Sequence, residues 1–235
     1  MIKLFRKIRQ NLLFENKFSK YLIYAIGEIA LVMIGILLAL QVNNWNQLKQ
    51  HKSELSNHFH TLLENIGDDQ VNLDSLVEYR KRAAIVSKDA LHKFENNTID
   101  NFQQLIDIMI PVAVERRFER HTSGFEQVEE SALYQSEKHL LLRRLIVEYN
   151  QIIERIVFWE LRFNSFTEAM ETELYKNGFS QEVDNIEIDD ILSKYQSLGG
   201  IFYRCVITSP DIIDKYQQLK VKGNEIRIEI NLLQE

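Results

Sequence analysis

Between Tyr21 and Trp45 the chain reads YLIYAIGEIALVMIGILLALQVNNW, an apolar run that restricts the fold more than any other stretch. A hydrocarbon core of about 30 Å takes roughly 20 mostly apolar helical residues. No charge occurs from Ile29 to Leu48, and Glu28 is the only charged residue in the run. A central acidic residue costs about 2.5–3.5 kcal/mol on insertion, while each Leu, Ile, Phe or Val returns roughly 0.3–0.6. The aliphatic residues between Leu22 and Leu40 outweigh Glu28 on that scale. Tyr21, Tyr24 and Trp45 stand near the two ends, where amphipathic rings prefer the headgroup level. The run predicts one transmembrane helix over residues 21–45.

The flanks set a direction. Lys3, Arg6, Lys7, Arg9, Lys17 and Lys20 precede the span with only Glu15 against them. Excess Lys and Arg stay on the cytoplasmic side, so the N-terminus is expected in the cytoplasm and residues 46–235 outside it. The apolar region is longer than a signal-peptide core and no A-x-A site follows, which predicts an uncleaved anchor in the inner membrane. Residues 1–20 place Leu4, Phe5, Ile8 and Leu12 on one stripe, the pattern of a basic amphipathic segment lying on an anionic leaflet.

Charge then separates the ends. The net charge is −6, with +5 in residues 1–20 and −10 from Lys49 onward. An acidic body argues against nucleic acid as a partner, because binding to a phosphate backbone rests on basic surface. The 8 glycines and 2 prolines are few, which favours long helices. The single cysteine, Cys205, has no internal disulfide partner and reads as a small buried hydrophobe.

Within the span, Gly35 and Ala39 form a small-xxx-small pair, and Glu28 lies seven residues before Gly35 on the same face. Small residues let helices approach closely in lipid, which predicts homo-oligomers through this face. A carboxyl there serves as interhelical glue or, in the alternative reading, as a proton or ion relay.

These residues carry a resemblance. MIKLFRKIRQNLL, then NKFSKYLIYAIGEIALVMIGILLALQVNNWNQ, is similar to the start of a family of uncharacterised single-pass membrane proteins of Bacteroidetes bacteria. Their span has the form GEIxLVxxGIxxALQxNNWN, here Gly27-Glu28-Ile29 through Asn43-Asn44-Trp45-Asn46. A weaker echo runs from Phe125 to Tyr149, where Ser131-Ala132 stands in place of the family's Ser-Gly pair. The resemblance implies an inner-membrane protein with a helical outer domain and supplies no activity.

Beyond the span the pattern is helical. Leu48, Leu55, Phe59, Leu62, Ile66, Leu73 and Leu76 follow a heptad stripe that predicts a helix to about Phe94, with a kink at Gly67. Asn96-Asn97-Thr98 signals a turn, and Asp100–Ile110 a shorter helix ended by Pro111. Residues Val114–Gly124 read as an arginine-rich connection. From Ser136 to Tyr175 the stripe Leu142, Leu145, Tyr149, Ile152, Ile156, Trp159, Phe163, Phe166, Met170 predicts a long helix. Val183, Ile186 and Ile188 allow a short strand, Gly199-Gly200 predicts a break, and Ser209-Pro210-Asp211 a helix start. Ile212, Tyr216, Leu219, Gly223, Ile226, Ile230 and Leu233 form the last stripe. The expected fold is all-α, an elongated extracytoplasmic bundle behind one membrane span.

Candidate chemistry is sparse. His58 and His60 point about 200° apart on a helix and do not share a metal, while His60 and Glu64 give two ligands only. Arg116, Arg117 and Arg120 form a basic knot suited to a carboxylate, a phosphate or a partner protein, or to pairing with Glu115 and Glu119. No nucleophile–base pair, glycine-rich phosphate loop or zinc spacing occurs. No catalytic, cofactor or metal residue is expected. The sequence therefore points to a non-enzymatic envelope scaffold or sensor, with the lipid bilayer, copies of itself and an unknown envelope protein as partners.

Overall fold

A computed structural model describes residues 18–176 and 196–234. Every described element is helical. They are α1 (Phe18–Glu95), α2 (Phe102–Ala113), α3 (Ser123–Glu130), two 3-10 turns (Ala132–Gln135 and Glu137–His139), α4 (Leu140–Lys176) and α5 (Gln196–Gln234). The chain divides into two compact units, Met1–Glu54 and Leu55–Glu235.

The described part of the first unit is the N-terminal part of α1. Its apolar window is long and hydrophobic enough to cross a membrane and is 0% buried. Leu31 is 70% exposed and Trp45 67%. A helix of this composition inside a soluble core would have its apolar side chains hidden; here none of that window is buried.

The second unit buries two apolar clusters. The first joins Leu55, Phe59, Leu62, Ile66 and Leu73 of α1 to Leu142, Tyr149 and Ile156 of α4 and Ile212, Tyr216 and Ile226 of α5. The second joins Ala83 and Ala90 of α1 to Leu105 and Met109 of α2, Phe163 of α4 and Phe202 and Cys205 of α5. Spacings of three and four put these residues on one face of each helix. The stripes expected on α1 and α5 are those that pack, except that Leu48 at the head of the α1 stripe is exposed and packing begins at Leu55. On α4 the register drifts: Ile153, Glu160 and Thr167 are buried, whereas Ile152, Trp159 and Phe166 are half-buried. A straight helix turns about 20° per heptad away from a strict seven-residue repeat.

Local punctuation mattered less than expected. α1 passes through Gly67 unbroken, α2 continues past Pro111 to Ala113, and α5 contains Gly199, Gly200 and Pro210. Near Pro210, Thr208 Oγ1 donates to Arg204 O at 2.8 Å and Ser209 Oγ to Cys205 O at 2.7 Å. Both hydroxyls bond one turn back, to the two carbonyls before Val206 O, the one that Pro210 leaves without an N–H donor, and α5 runs on through the proline. The turn at Asn96–Asn97 is present, with Asn97 at φ 51°. Asn101 caps α2, its Oδ1 accepting from Gln104 N at 2.9 Å. The strand suggested by Val183–Ile188 lies outside the described residues.

Candidate functional site

The arginine-rich connection is where the polar chemistry gathers. Residues 115–122 form no regular structure, so their main-chain groups need partners from elsewhere. Side chains of α1 supply most of them. Asn65 Oδ1 accepts from Gly124 N at 2.7 Å and from Ser123 Oγ at 3.2 Å. Asp69 Oδ1 accepts from His121 N and His121 Nδ1, both at 3.0 Å. Asn72 Oδ1 accepts from Glu119 N at 3.3 Å. Arg80 Nη2 donates to Arg116 O at 2.9 Å, and Tyr79 Oη donates to Val114 O. As α1 advances, its contacts move back along the connection, so the segment lies antiparallel to the helix as a strap.

α4 and α5 close the other side. Glu160 Oε1 accepts from Phe118 N at 2.8 Å and from Tyr216 Oη at 2.7 Å. Tyr149 Oη donates to Asp69 Oδ2 at 2.7 Å. Asp69 is 0% exposed and Glu160 3%. Two buried carboxylates on different helices thus hold the strap by its main chain, and each is braced by a buried tyrosine. Phe118 in the middle of the strap and Phe125 just past its end insert into the core, with Phe125 stacked on Tyr149 at 5.3 Å. Gly124 fits because it has no side chain: a Cβ there would lie 2.4 Å from Leu62 N.

Arg80 is the third buried charge, 0% exposed, its guanidinium carbon 3.8 Å from the centre of the Phe163 ring. Burial pushes the Glu160 carboxyl above its usual range, outweighing the Tyr216 and Phe118 hydrogen bonds and the Arg80 charge that pull it down. Burial likewise raises the hydroxyls of Tyr216 and Tyr149, with the neighbouring carboxylates adding to the effect. Cys205 is buried and its thiol is pushed up by burial.

The three arginines of the expected knot share the strap but take separate neighbours. Arg117 pairs with Glu115 at 3.3 Å. Arg120 Nη2 donates to Asn150 Oδ1 at 2.8 Å and lies over the Phe125 ring at 4.7 Å. Arg116 sits 5.9 Å from the Tyr79 ring. Phe59 is buried in the core while His60 faces Glu64 at 3.3 Å. Among the described residues no group of three metal-ligating side chains converges. In the apolar helix, Gly35 and Ala39 are exposed, Gly35 has open space around it, and Glu28 is half-covered.

Asp69, Arg80 and Glu160 were not anticipated as partners of the connection. Their signal is positional: Asp69 lies seven residues after Leu62 and seven before Leu76, and Arg80 seven after Leu73. A polar residue interrupting an apolar stripe at a core position needs a partner.

A family described as of unknown function (DUF6090) matches residues 28–136, which take in most of α1, all of α2 and the whole strap. No curated protein and no solved structure matches the chain.

Proposed function

We propose that the protein is a single-pass, non-enzymatic envelope protein of a bacterial inner membrane, with its N-terminus in the cytoplasm and its helical body in the periplasm. In this reading the body is an oligomeric scaffold or sensor that binds its own copies or another envelope protein. The observation that supports it most is the apolar helix, whose most hydrophobic window is 0% buried. The basic flank of residues 1–20 supports the orientation. The polar interior supports a binding role, because its carboxylates are occupied in holding a main-chain segment in place.

Membranes carrying the full chain provide the test. The protein is expected to stay in the pellet after alkaline extraction, and protease added outside spheroplasts is expected to cut beyond residue 50. Release by alkali, or digestion of the body only from the cytosolic side, refutes the reading.

The ion-conducting alternative needs Glu28 to titrate inside a cluster of spans. In the scaffold reading Glu28→Gln leaves proton flux into reconstituted vesicles unchanged. A flux present with Glu28 and abolished by the substitution establishes the relay instead.

A further inference from the structure

The two apolar clusters of the body treat their buried polar groups differently. At the first, Asn65 and Asp69 of α1 accept hydrogen bonds from the strap, and Tyr149 donates to Asp69. At the second, Asn164 of α4 follows Phe163 and lies one turn before Thr167, whose Oγ1 donates to Val112 O at 3.4 Å. Asn164 is 2% exposed, and among the described residues neither its Oδ1 nor its Nδ2 has a hydrogen-bond partner. Arg80, whose guanidinium lies over the Phe163 ring, is fully buried with no partner for Nε or Nη1. Ser87, buried between Ala83 and Ala90 along α1, has only the weak thiol of Cys205 beside its hydroxyl. By contrast, Arg120 Nε and Arg227 Nε, which also have no partner, belong to half-buried side chains. A buried polar group without a partner has given up water and gained no bond in return.

Packing differs in the same sense. α1 buries Leu55, Phe59, Leu62, Ile66 and Leu73 in the first cluster, but Ala83 and Ala90 in the second. Stabilisation follows the apolar area removed from water, so the second cluster is the weaker one. The junction between them on α5 falls at Pro210. Phe202 and Cys205 before it belong to the second cluster, and Ile212 and Tyr216 after it to the first. Pro210 offers no N–H to Val206 O, so α5 lacks one backbone bond between the two clusters.

We propose that the second cluster is a conformational switch: α2, the C-terminal end of α4 and the N-terminal end of α5 separate from one another as a unit, hinged at Pro210, while the first cluster stays packed. Opening returns Asn164, Arg80 and Ser87 to water, which offsets part of the cost of exposing Phe163, Phe202 and Leu105. Regions of this kind open at free energies below that of global unfolding. A ligand that contacts side chains exposed only in the open form shifts the population towards it. The switch deepens the sensor part of the function proposed above and rests on it.

Cys205 reports the opening without any substitution, because it is the single cysteine of the chain and is buried in the second cluster. The full-length protein in detergent is treated with a thiol-reactive aromatic disulfide at denaturant concentrations below the unfolding transition, and global unfolding is followed by circular dichroism. Cys205 is expected to react at least tenfold faster than global unfolding allows, with a weaker dependence on denaturant. Asn164→Leu, which removes the unpartnered amide at similar volume, is expected to slow the reaction about tenfold, equivalent to roughly 1.4 kcal/mol. Pro210→Ala, which gives Val206 O a donor, is expected to slow it as well. Gly124→Ala, which presses on the first cluster at Leu62, is expected to lower the global midpoint and leave the Cys205 rate unchanged. Labelling that follows the global transition in rate and denaturant dependence overturns the proposal, as does a folded Asn164→Leu or Pro210→Ala variant that reacts as fast as the native chain. The first comparison needs no variant, so it decides even where a substitution prevents folding. Alkaline extraction and protease access are read separately, so failure here leaves the anchor reading standing.

Discussion

Gly124→Ala is expected to cost the body about 3 kcal/mol or more, above the usual range for overpacking. The added Cβ would lie 2.4 Å from Leu62 N, 2.5 Å from Leu62 Cα and 2.7 Å from Thr61 C. All three are backbone atoms in the middle of α1, so no flexible side-chain tip can move aside. Relief requires the strap to lift, which breaks the 2.7 Å bond from Gly124 N to Asn65 and drags Phe125 out of the core. A buried aromatic contributes about 1.5–3 kcal/mol through burial alone. The denaturant midpoint of the full chain in detergent measures the effect, with Gly199→Ala as the control. Gly199 has open space around it, and its substitution is expected to be neutral or slightly stabilising. Equal midpoints for the two variants would show that the strap does not press on α1 at Leu62.

The second large effect lies at Glu160. Glu160→Ala removes the acceptor for Phe118 N and Tyr216 Oη and takes away the carboxylate whose charge acts on Arg80. Each buried donor left without an acceptor typically costs about 1–3 kcal/mol. Glu160→Gln keeps an oxygen for both donors and is expected to cost much less than Glu160→Ala. The pair of variants also isolates a pH effect. The Glu160 carboxyl is raised above its usual value in the folded protein, so the folded state holds a proton that the unfolded chain releases sooner. Its contribution is complete below the unfolded carboxylate range and is lost as pH rises through the raised value. Stability of the native chain should therefore fall across that interval, and this component should be absent in Glu160→Gln. Identical pH profiles for the two proteins would contradict the assignment.

The contrast between these two sites shows what a sequence of this kind exposes and what it hides. The apolar helix is plain from composition because its solvent is a property of the whole stretch. The stripes on α1 and α5 are plain because burial repeats every three or four residues. Pro210 and Gly199-Gly200 mislead, because a breaker acts locally, whereas α5 is held on both sides of them by buried residues, Leu198, Phe202 and Cys205 on one side of the proline and Ile212 and Tyr216 on the other. The strap is harder still. Its composition is that of a solvent-exposed loop, and its order comes from residues 30 to 59 positions away in the chain. A search for apolar periodicity passes over Asp69 and Glu160, although their place in the period marks them as interior.

The strap is gripped by its amides and carbonyls and by two inserted rings, while the side chains of Glu115, Arg116, Arg117 and Glu119 point away from that grip and stay in solvent. What is clamped is common to every amino acid, and what is displayed is not. The outward lettering of this stretch can be rewritten without loosening its mounting, so substitutions at these four positions change the surface and leave the scaffold as it is.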